Sequence, residues 1–176
     1  MAKPSKTATQ IEPVVPVPKK SLFDRVAGFL DANDWHYKTE SEKNYFSMGC
    51  RIKEASVRVI IDVFESEEWH RVMTFSIYPI FVPENRRPEV LEAMNRINHV
   101  LVYGNFEMDP ADGEIRFPTS VESDTDIPES MMERVLNGNL AGSDKHFGAL
   151  MAVVFGGASP EGVKEIAGRP ENTTLQ

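Results

Sequence analysis

The chain has one cysteine, Cys50, in 176 residues. No intrachain disulfide can form, so stability has to come from packing. Long apolar runs are missing too. None approaches the ~20 residues of a membrane-crossing helix, and the first residues lack the apolar stretch of a secretory signal. Both absences predict a cytoplasmic protein with no membrane partner. Net positive charge is confined to one end. Residues 1–20 carry Lys3, Lys6, Lys19 and Lys20 against Glu12, a net +3, so the overall −8 leaves −11 on the other 156 residues. A body of that sign repels phosphate backbones and argues against direct nucleic-acid binding.

Chemistry-bearing patterns are equally thin. No glycine-rich phosphate loop or G-x-S-x-G elbow occurs; Gly156-Gly157 ends a predicted helix, whereas phosphates bind at helix starts. His36, His70, His99 and His146 are scattered without metal-ligand spacing. Cys50 alternates with Phe46, Met48 and Ile52 on a predicted buried strand face, where a thiol is apolar filler. Asp109-x-x-Asp112-Gly113-Glu114 lacks the alternating oxygen ligands and distal glutamate of a calcium loop. The expectation is no catalytic residue, no metal and no cofactor.

What is present is an ordinary globular composition, 41% hydrophobic and 26% charged, long enough for one domain. Residues 1–20 contain Pro4, Pro13, Pro16 and Pro18. There Pro13-Val-Val-Pro16-Val-Pro18 favours polyproline II, and the stretch reads as a flexible leader, with a docking peptide as the functional alternative. Residues 21–168 form a single domain and 169–176 a tail.

Within the domain, Ser21-x-x-Asp24 caps a helix to about Asn33 with the stripe Leu22, Val26, Phe29 and Leu30. Three alternating strands follow. Phe46, Met48, Cys50 and Ile52, then Val57, Val59, Ile61 and Val63, then Met73, Phe75 and Ile77 are predicted to share the core face. A helix from Arg87 to about Val102 carries Leu91, Met94, Asn98 and Leu101, with Asn98 expected to bond nearby backbone. The hairpin strands Gly104–Met108 and Ile115–Val121 close through Asp112-Gly113, and Pro118 suggests an edge or an outward amide. Asp126-x-x-Glu129 opens a helix broken at Asn137-Gly138-Asn139. A further helix runs to Gly156-Gly157, and Ser159-Pro160-Glu161 begins a short last one. The predicted fold is α+β: a five-stranded, mainly antiparallel sheet, order α-βββ-α-ββ-α-α, with helices on one face.

Asn95-x-x-Asn98, Gly104-x-Phe106-Glu107-x-Asp109 and Asp112-Gly113-Glu114-Ile115-Arg116-Phe117-x-Thr119-Ser120 resemble the central signature of the YbjN family. The likeness continues through Asp144, Phe147 and Leu150-Met151 to Gly156-Gly157-x-Ser159-Pro160-Glu161 and covers roughly Ser21 to Gly168. Pro118 departs from it, standing where a basic residue is more usual. The resemblance implies a bacterial protein of the class titled "putative sensory transduction regulator". It also implies a fold similar to type III secretion chaperones, α/β homodimers that bind protein clients.

Strand alternation also predicts a second sheet face, more apolar than solvent requires, made of Ile60, Phe64, Val72, Tyr78 and Ile80. With helices on one side only, another chain is expected to cover it. The leading expectation is therefore a non-enzymatic protein-binding module, chaperone-like or regulatory, acting as a homodimer with a protein client. The alternative is a small-molecule sensor or weak enzyme with a site between the sheet and the last helices. Asn95, Asn98, Arg116 and Ser120 are its nominated polar residues.

Overall fold

The computed structural model describes residues 20–163. The predicted leader (1–20, but for Lys20), the tail (169–176) and the continuation of the last short helix lie outside them. The elements run α1 (Leu22–Ala32), β1 (Lys38–Glu40), β2 (Tyr45–Arg51), β3 (Ser56–Glu65), β4 (His70–Phe81), α2 (Arg87–Asn98), β5 (Glu107–Met108), β6 (Glu114–Ser123) and α3 (Glu129–Val154). The strands form one sheet of order β1-β2-β3-β4-β6-β5, and every pairing is antiparallel. The α+β class and the antiparallel sheet agree with the sequence. The sheet has six strands, not five, because Lys38–Glu40 pairs with Tyr45–Ser47. All three residues of β1 are exposed, so it carries no apolar alternation to betray it.

α1 begins at the predicted cap: the Ser21 hydroxyl oxygen accepts from the Asp24 amide at 3.0 Å. The Leu22 amide donates to the Glu65 carboxylate at 2.8 Å, fixing where the chain enters beside the β3–β4 turn. Leu22, Val26, Phe29 and Leu30 are buried as expected. In α2 the buried set is Val90, Ala93, Met94 and Ile97. The stripe is therefore turned from the one predicted, and Leu91 stays 50% exposed. The helix also ends at Asn98, short of Val102. Gly104, at φ +73°, then turns the chain toward β5, a backbone angle that suits glycine.

The largest correction in the helices is α3. Asn137-Gly138-Asn139 does not break it; 26 residues run continuously. The helix also starts at Glu129, because Asp126 is spent on Arg25 of α1. Two of its three interior glycines serve close approach. A methyl group added at Gly138 would meet the Tyr103 ring at 2.9 Å, and one at Gly142 the Phe117 ring at 2.9 Å. Asn139 is fully buried and pins the helix to the sheet. Its side-chain amide donates to the Phe117 carbonyl at 2.7 Å and the Thr74 carbonyl at 3.0 Å, and its oxygen accepts from the Ser76 hydroxyl at 2.6 Å. One turn on, the Tyr78 hydroxyl donates to the Ser143 carbonyl at 2.9 Å.

These bonds settle the parity of β4. Glu65 pairs with His70 and Val63 with Val72, so the odd-numbered core residues of β3 face even-numbered partners. Val72, Thr74, Ser76 and Tyr78 point into the core, not Met73, Phe75 and Ile77. The intervening Ser66–Trp69 turn sets this register, and a one-residue difference there exchanges the two faces of a strand.

α3 continues its buried polar stripe to His146, which is 5% exposed and whose Nδ1 has no hydrogen-bond partner among the described residues. Burial, then the neighbouring Lys145, holds this imidazole below its usual 6.5. The unfolded chain therefore binds this proton more readily than the native one. The stabilisation is full above about 6.5 and is lost as pH falls from there toward the lower native value. In urea titrations stepped from pH 7.5 to 5, His146→Gln is expected to flatten the acid-side loss of stability relative to the parent.

Candidate functional site

The three helices lie over one face of the sheet, leaving the other open among the described residues. On it, register places Ile60 of β3 beside Phe75 of β4, and Phe75 beside Pro118 of β6. This makes an apolar row across three strands. Parallel rows follow from the same pairings: Asp62, Met73 and Ser120 on one side, Arg58, Ile77 and Arg116 on the other. Ile60, Met73, Phe75 and Ile77 are half-buried within the chain, with no helix above them to complete the burial.

Charged groups frame this row. The Arg116 guanidinium lies 5.3 Å from the centre of the Phe75 ring and pairs with Glu107 at 2.7 Å. Toward the β3–β4 turn, the Phe64 and Trp69 rings lie 4.4 Å apart, tilted by 31°, and Phe64 is 37% exposed. Arg71 sits 5.8 Å from Phe64 and 5.7 Å from Trp69, and reaches Asp62 at 3.2 Å. Exposed ion pairs of this kind contribute only ~0–1 kcal/mol each to stability.

Of the five residues nominated for this face, Ile60 and Phe64 lie on it. Val72 and Tyr78 do not: they are 2% and 1% exposed on the core side, and Tyr78 packs against Phe147 of α3. Ile80, beyond the register irregularity after Ile77, packs against the margin of the core. Met73, Phe75, Ile77 and Trp69 take their place. Their inward-facing neighbours are held by a distant asparagine, Asn139, which accepts from the Ser76 hydroxyl and donates to the Thr74 carbonyl, a pairing that no local pattern signals.

The nominated polar residues divide as well. Asn95, Asn98 and Arg116 line one cavity of about 500 Å³ between α2 and the β5–β6 hairpin. Leu91, Met94 and Phe106 contribute apolar wall, and Glu107, Asp109 and Glu114 carboxylates. Ser120 lies apart, paired with Met73 on the open face. The interior between the sheet and α3, where the sequence placed a site, is closed by the Asn139 bonds. Asn98 does what its position predicts: its amide donates to the Phe106 carbonyl at 3.0 Å, and its oxygen accepts from the Phe106 amide at 2.7 Å. Both ends of the side chain are thus engaged with the backbone. Asn98→Ala should cost about 2 kcal/mol in urea unfolding and speed hydrogen exchange at the Phe106 amide.

The hairpin turn is as expected. The Gly113 amide donates to the Asp109 carbonyl at 2.8 Å, and Asp109 and Asp112 accept from the amides of Ala111 and Glu114, each at 2.8 Å. Those bonds occupy the carboxylates of the faint calcium-loop pattern. No three His, Cys, Asp or Glu side chains converge as metal ligands among the described residues. Cys50 is 8% exposed, and burial pushes its thiol up, away from the thiolate a nucleophile needs. No helix among the described residues is long and apolar enough to cross a membrane.

The family model titled "Putative bacterial sensory transduction regulator", YbjN, matches residues 22–152. The chain belongs to the YbjN family. The matched stretch begins with the first residue of α1 and includes all six strands, so the open face and the α2–hairpin cavity are both built from YbjN-family sequence. No curated protein matches the chain. In YbjN terms, the signature Asn98 and Phe106 are joined to each other, and Gly104 lies against Phe117, within 2.5 Å of a Cβ placed there. Those parts of the signature hold the hairpin to the helix.

Proposed function

We propose that this YbjN-family chain is a non-enzymatic protein-binding module, chaperone-like or regulatory, that works as a homodimer in the cytoplasm. The observation that carries this is the half-buried apolar cluster Ile60, Met73, Phe75 and Ile77, with Pro118 already buried at its edge, on the sheet face opposite all three helices. Half-buried side chains in a continuous row lose their remaining contact with water only when a second surface closes over them. A second copy offers a self-complementary surface in which the Arg71, Asp62 and Arg116 rims set orientation. The likeness to secretion chaperones read from the sequence agrees in kind, since those α/β homodimers hold protein clients. The acidic body argues against nucleic acid as the partner.

A second reading is supported by the cavity between α2 and the hairpin. Its ~500 Å³ falls within the range of small-molecule sites, and it mixes apolar wall with carboxylates and Arg116. A small-molecule sensor would use it.

Light scattering after gel filtration tests the module. A particle of twice 19.8 kDa at tens of micromolar is the expected result, and a clean monomer overturns the homodimer.

A further inference from the structure

The open face has a more exposed end at the turn between β3 and β4. There the Phe64 and Trp69 rings pack at 4.4 Å, tilted by 31°, with Arg71 alongside, and Glu65, Glu67 and Glu68 are exposed on the turn itself. The chain enters α1 at the same place, because the Leu22 amide is bonded to the Glu65 carboxylate at 2.8 Å. Directly upstream stand Lys19 and Lys20, and before them Pro13-Val-Val-Pro16-Val-Pro18. Residues 13–19 lie outside the described residues, but the position of their exit is fixed. Polyproline II extends ~3.1 Å per residue, so the eight residues from Ser21 back to Pro13 span about 25 Å. That is ample to pass round a four-residue turn.

We propose that residues 13–18 of this chain dock on its own Phe64–Trp69 pair, with Lys19 and Lys20 against the glutamates of the turn. This rests on reading the open face as a binding surface, and makes the proline-rich segment an intrachain cover for one end of it. Three things match. Paired aromatic rings are the surface on which proline-rich segments pack, because the stiff segment loses little entropy on binding. The charges are opposite, two lysines facing three carboxylates. And the tether holds the segment at high effective concentration beside its site.

The test uses the full chain with Trp35→Phe, which leaves Trp69 as the sole tryptophan. Acrylamide quenching of its emission reads how far the ring is shielded. Two variants are compared with that parent, P13G/P16G/P18G and K19E/K20E. The quenching constant is expected to rise roughly twofold in both, as the docked population is lost. It should also rise in the parent at high salt, which screens the lysine–glutamate attraction. One constant shared by the parent and both variants overturns the proposal. A parent constant that falls with protein concentration while those of the variants do not shows docking onto a second copy and overturns the intrachain assignment. Light scattering on the same samples keeps the two ideas apart. A monomer with Trp69 shielded by residues 13–18 refutes the dimer alone, whereas a dimer whose Trp69 ignores the variants refutes the intrachain cover alone.

Discussion

Asn139→Leu is expected to lower stability by about 3–4 kcal/mol, the largest effect of any single polar substitution in the fold. The leucine is close in size, so little cavity forms; the loss is in polar pairing. The Ser76 hydroxyl, fully buried, loses its acceptor at 2.6 Å. The Phe117 and Thr74 carbonyls each lose a donor, and Thr119, whose hydroxyl lies 3.2 Å from the Asn139 amide, is left with its bond to Val135 alone. An unmade buried hydrogen bond costs ~1–3 kcal/mol. Urea unfolding followed by circular dichroism measures the change. Asn137→Ala, two residues away and exposed, is the control and should move stability by less than about 0.5 kcal/mol. Adding Ser76→Ala to Asn139→Leu should restore part of the loss, because the orphaned hydroxyl is removed with its acceptor. Strict additivity of the two changes would show that the pair is not coupled.

Phe75→Asp is expected to abolish self-association while leaving the monomer folded. Phe75 is the middle of the apolar row and the residue over which Arg116 lies. Placing a carboxylate there removes the central apolar surface and puts in its place a charge that must be desolvated on closure. Truncation of a central aromatic costs roughly 2–4 kcal/mol in interfaces of this kind, a factor of about 30 or more in Kd. The side chain is not part of the packed core, so the thermal midpoint at low concentration should change little. Sedimentation velocity over a concentration series separates the outcomes. A variant that associates as tightly as the parent moves the interface away from this face.

The sequence displayed some parts of this architecture and concealed others, for identifiable reasons. The first helix was legible because Ser21 and Asp24 cap it and its stripe has no polar interruption. The hairpin was legible because Asp112-Gly113 leaves few alternatives, and Gly113 takes φ +86°. The parity of β4 was not. Met73, Phe75 and Ile77 are greasier than Val72, Thr74, Ser76 and Tyr78, so a rule that sends the more apolar face inward chooses wrongly. Thr74 and Ser76 are buried because Asn139, more than sixty residues away, meets the Ser76 hydroxyl and the Thr74 carbonyl. No local pattern announces that partnership. The same asparagine, flanked by Gly138, imitates a helix break for the same reason. Its cost in helix propensity is offset by contacts that exist only once the sheet is assembled. Of the candidate site, the existence of an apolar open face was visible, and Ile60 and Phe64 with it; the exchange of Val72 and Tyr78 for Met73, Phe75 and Ile77 follows from that one parity.

The far border of the sheet carries a last consequence. β5 pairs only with Ile115 and Arg116, so the outer side of β6 beyond them has no neighbouring strand among the described residues. The Glu114 carbonyl reaches outward to the Asp109 amide, which by alternation turns the backbone groups of Pro118 the same way. Proline offers no hydrogen there. A foreign strand arriving sideways would find a gap in the ladder at its first free rung, and the opposite border is only three residues long. Both borders of the described sheet are thereby poor templates for the sideways addition of another chain.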